Sequence, residues 1–314
     1  MRRRTVLFLA IALVLHSAVT GTAAETILAI TSAPAEAYQT ALARFKGALR
    51  RTGFAGGIEE VGLKPGGVEG ERLIQAIRAK RPVLVVTLGS EATARVTPQI
   101  KDLPVVFCMA LNPVASGFVP ELERPGGNVT GASLDVPLST QFEAIRSVVP
   151  AARRVGVLFN PAQTGSVVLQ AGKAAQEAGL TLVPRAVQTP AEVPRALEGL
   201  GRQTDFLWAV ADSTVFFGGS TEHILRYTLT NGIPFMGLSP AFVQAGALMA
   251  LAVDYGAVGE QCGALALQVL AGRAPAGLAV TVPERVTLHL NLRTAENIGL
   301  KIPSQAMKGA VLVR

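Results

Sequence analysis

Arg124-Pro125-Gly126-Gly127-Asn128-Val129-Thr130-Gly131-Ala132-Ser133 separates two stretches of chain that follow one plan. Before it, the apolar run Ile27–Thr31 leads through Ser32 into an amphipathic segment ending at Gly53. After it, Val155–Phe159 leads through Asn160 and Pro161 into a helical segment ending at Gly179. The plan continues with Val83–Thr87 in the first half and Phe206–Val210 in the second, then with Leu103–Phe107 and Ile233–Gly237. Short continuous apolar strands alternating with helices predict parallel sheets covered on both faces. Two such units predict an α/β protein of two Rossmann-like lobes. The dividing run reads as the hinge, with Gly126, Gly127 and Gly131 supplying backbone freedom.

The N-terminus carries Arg2, Arg3 and Arg4, an apolar run from Val6 to Val19, and Thr22-Ala23-Ala24 before Glu25. This pattern predicts a signal peptide over residues 1–24, cleaved near Ala24, because the run is shorter than the roughly 20 apolar residues of a spanning helix. Arg3-Arg4-Thr5-Val6-Leu7 also partly matches a twin-arginine signal, so either export route fits. No cysteine lies near the cleavage site, which points to a soluble periplasmic protein rather than a lipid-anchored one. The first lobe is expected over 25–131, with about 255–280 returning to it, and the second over 132–254, with about 281–314 returning. The lobes would thus be joined by several crossings.

Of the 314 residues 49% are hydrophobic and 16% charged, as in a packed globular chain. Removing the three leading arginines leaves 26 basic against 22 acidic residues, a formal charge of +4 instead of +7. That mild balance, with no Lys/Arg cluster interleaved with aromatics, argues against nucleic acid as a partner. Cys108 and Cys262 form an even pair that permits a disulfide. The favoured reading is that each packs as a small hydrophobe, Cys108 at a strand end and Cys262 on the helical stripe Val258, Cys262, Leu265, Val269.

Ligands of open α/β sheets sit beyond the carboxyl ends of the strands. That rule selects Ser32, Ser90, Thr93 and Asn112 from the first half and Asn160, Asp212, Ser213 and Ser239 from the second. The set suits a small polar ligand. Ser90 and the amides after it, at a predicted helix N-terminus, would favour a carboxylate, and Gly165 with Ser166 could do the same in the second lobe. Asp212, and Asp254 at a presumed crossing, are the acids that would meet an ammonium group. Tyr38 stands near the first loop and could stack on a ligand, although its spacing to Leu42 and Phe45 also fits a buried helix face. Ser and Asp at strand ends also serve as helix caps.

Catalysis finds little support. The histidines are His16, which leaves with the signal peptide, His223 in a helical segment and His289 in an apolar strand. No zinc spacing, P-loop or dinucleotide fingerprint is present, so neither metal nor cofactor is expected. Gly237-Leu238-Ser239-Pro240-Ala241 lacks the last glycine of a hydrolase elbow.

The sequence resembles the ABC-transporter substrate-binding proteins of the type I periplasmic-binding-protein fold, in the branch that includes tryptophan- and tyrosine-binding members. The resemblance rests on Pro104–Phe107 with Asn112-Pro113-Val114, the run 124–131, Arg153–Pro161, Gly246-Ala247-Leu248 with Asp254-Tyr255, and Leu290–Ala295. Asn112 and Glu91 depart from it, standing where many members have Asp and a small residue. The resemblance implies a monomeric, non-catalytic two-lobed clamp. It would deliver a small ligand, such as an amino acid or related carboxylate, to an inner-membrane permease with a separate ATPase. The same clamp would also serve a periplasmic sensor reporting to a membrane signalling protein.

Overall fold

The computed structural model describes residues 25–63 and 70–314. The signal-peptide segment and the expected turn at Lys64-Pro65-Gly66-Gly67 lie outside the described residues. The first sheet is built from β1 (Thr26–Thr31), α1 (Glu36–Arg51), β2 (Gly57–Gly62), α2 (Gly70–Lys80), β3 (Leu84–Leu88), α3 (Ser90–Val96), β4 (Val105–Ala110) and β5 (Val129–Ser133). Its strands are all parallel, in the order β2-β1-β3-β4-β5. The chain then runs α4 (Leu138–Val148), β6 (Arg154–Phe159), α5 (Pro161–Glu177), β7 (Thr181–Ala186), α6 (Val193–Gly201) and β8 (Phe206–Trp208). It continues through α7 (Gly219–Thr230), β9 (Phe235–Met236), α8 (Pro240–Gln244) and β10 (Met249–Val253). After α9 (Tyr255–Leu270) come β11 (Val286–Asn291), α10 (Leu292–Asn297), α11 (Ser304–Met307) and β12 (Val311–Val313). The second sheet has the order β12-β11-β10-β9-β8-β6-β7 and is parallel except where β10 meets β11.

The central strands form because they are apolar on both faces. β3 and β4 are buried at every residue, as a parallel strand between two helical layers must be. One set of buried side chains fills each side of each sheet. The edge strands β2 and β7 were not foreseen, because their mostly exposed sequences carry no continuous apolar signal. β7 contains Pro184, which an edge tolerates because the missing N–H costs no ladder bond there.

α9 returns to the first lobe and lies against α1. Gly259 and Gly263 allow that approach: a Cβ at Gly259 would collide with the backbone of Ala41, and one at Gly263 with Cβ of Ala48. The cysteines correct the expectation of two separate hydrophobes. Cys108 of β4 and Cys262 of α9 are joined in a disulfide, with Cα atoms 5.9 Å apart across 154 residues of sequence.

The expected hinge glycines also need correction. Gly131 lies inside β5, where a Cβ would strike the carbonyl oxygen and ring of Phe107, so its role is close packing. Gly126 and Gly127 have φ of 52° and 125° and turn the chain before β5, at the opposite end of the strand from the second sheet. The passage between sheets follows Ser133 and precedes α4. Near the return to β11, the amides of Ser133 and Thr281 bond the carbonyls of Thr281 and Gly131 at 2.8 and 3.0 Å.

Candidate binding cleft

The carboxyl ends of the two sheets face one cleft of about 710 Å³. The loop after β4 contributes Leu111–Ala115, the passage between sheets contributes Leu134–Leu138, and β8, β9 and β10 contribute Trp208, Met236 and Leu251. Most of the wall is apolar. Two carboxylates line it, Asp135 and Glu121, together with the neutral polar groups of Asn112, Gln141, Ser166, Gln170, Ser239 and Tyr255. Among the described residues, no lysine, arginine or histidine lines it.

Asp135 organises this wall. Its Oδ2 accepts hydrogen bonds from the Asn112 amide at 2.7 Å and the Ser133 hydroxyl at 2.9 Å. Its Oδ1 takes no hydrogen bond among the described residues. Burial raises the carboxyl pKa above the ordinary value, and the bonds from Ser133 and Asn112 only partly offset the rise. Asn112 itself has φ of 48°, an uncommon conformation for a residue with a side chain, and Asp135 holds its amide there. On the second lobe, the Trp208 indole N–H donates to Gln141 Oε1 at 2.7 Å, while Gln141 Nε2 donates to the Val136 carbonyl at 2.8 Å. One glutamine thus fixes both the indole and the passage between lobes.

Of the ligand-binding candidates read from sequence, Asn112 and Ser239 line the cleft. The others are engaged in holding loops. Ser32 donates to the Leu88 carbonyl and accepts from the Ala92 amide, and Thr93 bonds Thr87 and the Gly89 carbonyl. Ser90 accepts from the Leu111 amide at 2.9 Å. Asn160 caps α5 through the Ala162 amide, and Asp254 caps α9 through the Ala257 amide while pairing with Arg285 at 3.7 Å. Asp212 is 2% exposed and accepts four bonds: from the amides of Asn160, Thr214 and Val215 and from the Thr164 hydroxyl. Ser213 bonds Gln163. Gly165 and Ser166 fall in the second turn of α5, not at its N-terminus. Tyr38 packs against the first-lobe core, where burial raises its phenol pKa despite a hydrogen bond with Ser32; Glu91 and Tyr255 add to the rise.

A family described as ABC transporter substrate binding protein matches residues 27–313. The tyrosine-binding protein of Clostridioides difficile (strain R20291) is 25% identical over 220 residues, which are 69% of this chain and 63% of that relative. The match therefore spans less than two thirds of the relative's length. Among solved structures, the ABC domain in complex with L-Trp from Streptococcus pneumoniae has a TM-score of 0.71 at 23% identity, covering 93% of this chain and 100% of that one. A ligand-free, open substrate-binding protein with adhesive properties from Clostridium difficile has a TM-score of 0.76 at 22% identity, covering 92% and 99%. These likenesses share the two-lobed α/β architecture of the type I periplasmic binding proteins.

Proposed function

We propose that this chain, which belongs to the ABC transporter substrate-binding proteins, clamps an amino acid with a large apolar side chain between its lobes and delivers it to a membrane permease. The family consists of binding proteins of transporters, not enzymes. The observation that carries the reading is a cleft walled by both lobes and the passage between them, mostly apolar, with two carboxylates and a few neutral polar groups among its described lining. A ligand touching both lobes favours the closed arrangement by its differential affinity, and closure alters the surface offered to the permease. The names of the similar proteins make tyrosine and tryptophan the first candidates. Among the described residues no helix is long and apolar enough to cross a membrane. Delivery would take place in the periplasm after export.

The test is a thermal-shift and calorimetric screen of the chain from Glu25 onward, because a ligand bound only by the native state raises the melting temperature by mass action. Tyrosine or tryptophan should give a saturable rise that glucose and inositol do not. No response to any amino acid, with a response to a sugar, would overturn the proposed ligand.

A further inference from the structure

We infer that the cleft selects its ligand through the ammonium group and is indifferent to the carboxylate, so that its substrate class is the bulky apolar amine, amino acids being one case. The inference rests on the cleft being the ligand site.

Three observations carry it. Among the described residues, the charged ones lining the cleft are Asp135 and Glu121, and none is basic. Asp135 already has its Oδ2 held by Asn112 and Ser133, which fixes the carboxylate and leaves Oδ1 as an acceptor for an incoming N–H. Many of the loop amides near the strand ends that could meet a carboxylate are already engaged. In the first lobe, the amides of Ala92, Leu111 and Asn112 donate to Ser32, Ser90 and Asp135. In the second lobe, those of Asn160, Ala162, Ser213, Thr214 and Val215 donate to Asp212, Asn160 and Gln163.

Among the described side chains that line this cleft, an entering carboxylate would meet two like charges and neutral donors such as Gln170, Ser166 and Ser239. An ammonium would meet a fixed, partly buried carboxylate, where charge-assisted bonds are strongest. The apolar wall, with Trp208, Met236 and Leu251, accepts the body of the ligand.

Calorimetry on the chain from Glu25 with four indoles separates the contributions: tryptophan, tryptophan amide, tryptamine and indole-3-propionate. The amide and tryptamine should bind at least as tightly as tryptophan, and indole-3-propionate should bind about 10- to 100-fold more weakly, the span for losing a hydrogen bond to a charged group. Asp135→Asn should reduce tryptamine affinity by a similar factor, and the ligand series on the unmodified protein holds whether or not that variant folds. Tryptamine binding more than about tenfold weaker than tryptophan, or indole-3-propionate matching it, overturns the inference while leaving the amino-acid clamp in place. Failure of all four indoles to bind, with no response to tyrosine or any other amino acid in the screen above, overturns both.

Discussion

Asp212→Ala should damage the second lobe without removing a ligand contact. The carboxylate is 2% exposed and is the common acceptor of four donors, the amides of Asn160 at 2.7 Å, Thr214 at 2.9 Å and Val215 at 3.3 Å and the Thr164 hydroxyl at 2.6 Å. It ties the ends of β6 and β8 together and fixes the start of α5. A buried donor left unpaired costs about 1–3 kcal/mol. The long Val215 bond contributes least, the Thr164 hydroxyl can turn elsewhere, and water entering the vacated space recovers part of the rest. The expected loss is therefore about 3–5 kcal/mol, near the upper end for single substitutions. Asp212→Asn should cost less, about 1–3 kcal/mol, because one acceptor oxygen remains while the amide group opposes the Asn160 N–H. The chain has one tryptophan, and Trp208 stands in the core of the affected lobe, so its emission follows that lobe. In urea, the alanine variant should unfold at a midpoint about 1–2.5 M lower, for a slope of about 2–3 kcal/mol/M. A midpoint within about 0.3 M of the parent would refute the reasoning. So would an alanine variant that stays as stable but no longer binds, which would make Asp212 a ligand contact.

Gly259→Ala should destabilise the first lobe by about 1–3 kcal/mol, the usual cost of overpacking, because its Cβ enters the Ala41 backbone and this exceeds the gain in helix propensity. A melting curve by far-ultraviolet circular dichroism that matches or exceeds the parent would contradict the α1–α9 packing described above. Acid should weaken binding of an amine ligand, since Asp135 must be ionised to hold an ammonium. Affinity should be full above its raised pKa and fall as pH drops through that value, earlier than for an ordinary carboxylate. The contribution of Asp135 to stability of the unliganded protein runs the other way. It is fully present below the unfolded pKa and lost as pH rises through the folded one. Calorimetry between pH 4 and 8 checks the first sign, and loss of the acid weakening in Asp135→Asn checks its source.

The central strands β1, β3, β4, β6 and β8 could be read from sequence because burial on both faces forces unbroken apolar runs. β2 and β7 could not, since an edge strand needs only one covered face and one bonded neighbour. β5 was hidden for another reason: Gly131 and Thr130 interrupt its apolar character, yet one is required by the Phe107 backbone and the other bonds the Leu278 carbonyl, both remote in sequence. Strand-end logic led to Ser32, Thr93, Asn160 and Asp212, which occupy the expected loops but spend their polar atoms on caps and turns. Ligand contacts and caps draw on the same residue types, so spacing alone does not rank them. Asp135 escaped because it belongs to the passage between sheets rather than to a strand-to-helix loop. Its place two residues after Ser133 was the available signal, because a short polar pair there must either bond itself or face the opening.

The bond between Cys108 and Cys262 makes a covalent ring of the chain between them. Within that ring lie β5, the outward passage, every element from α4 to β10, and the return into α9. Much of the second lobe is thus a closed bight hung from the first. A protease that cuts any loop from Pro113 to Asp254 would open the ring without parting the molecule, since the piece bearing β1 to β4 and the piece bearing α9 to β12 would still share the disulfide. Such a nicked chain should run as one species until a reductant is added, and then as two. The return strands β11 and β12, which lie outside the ring, would remain covalently tethered to the first lobe through α9.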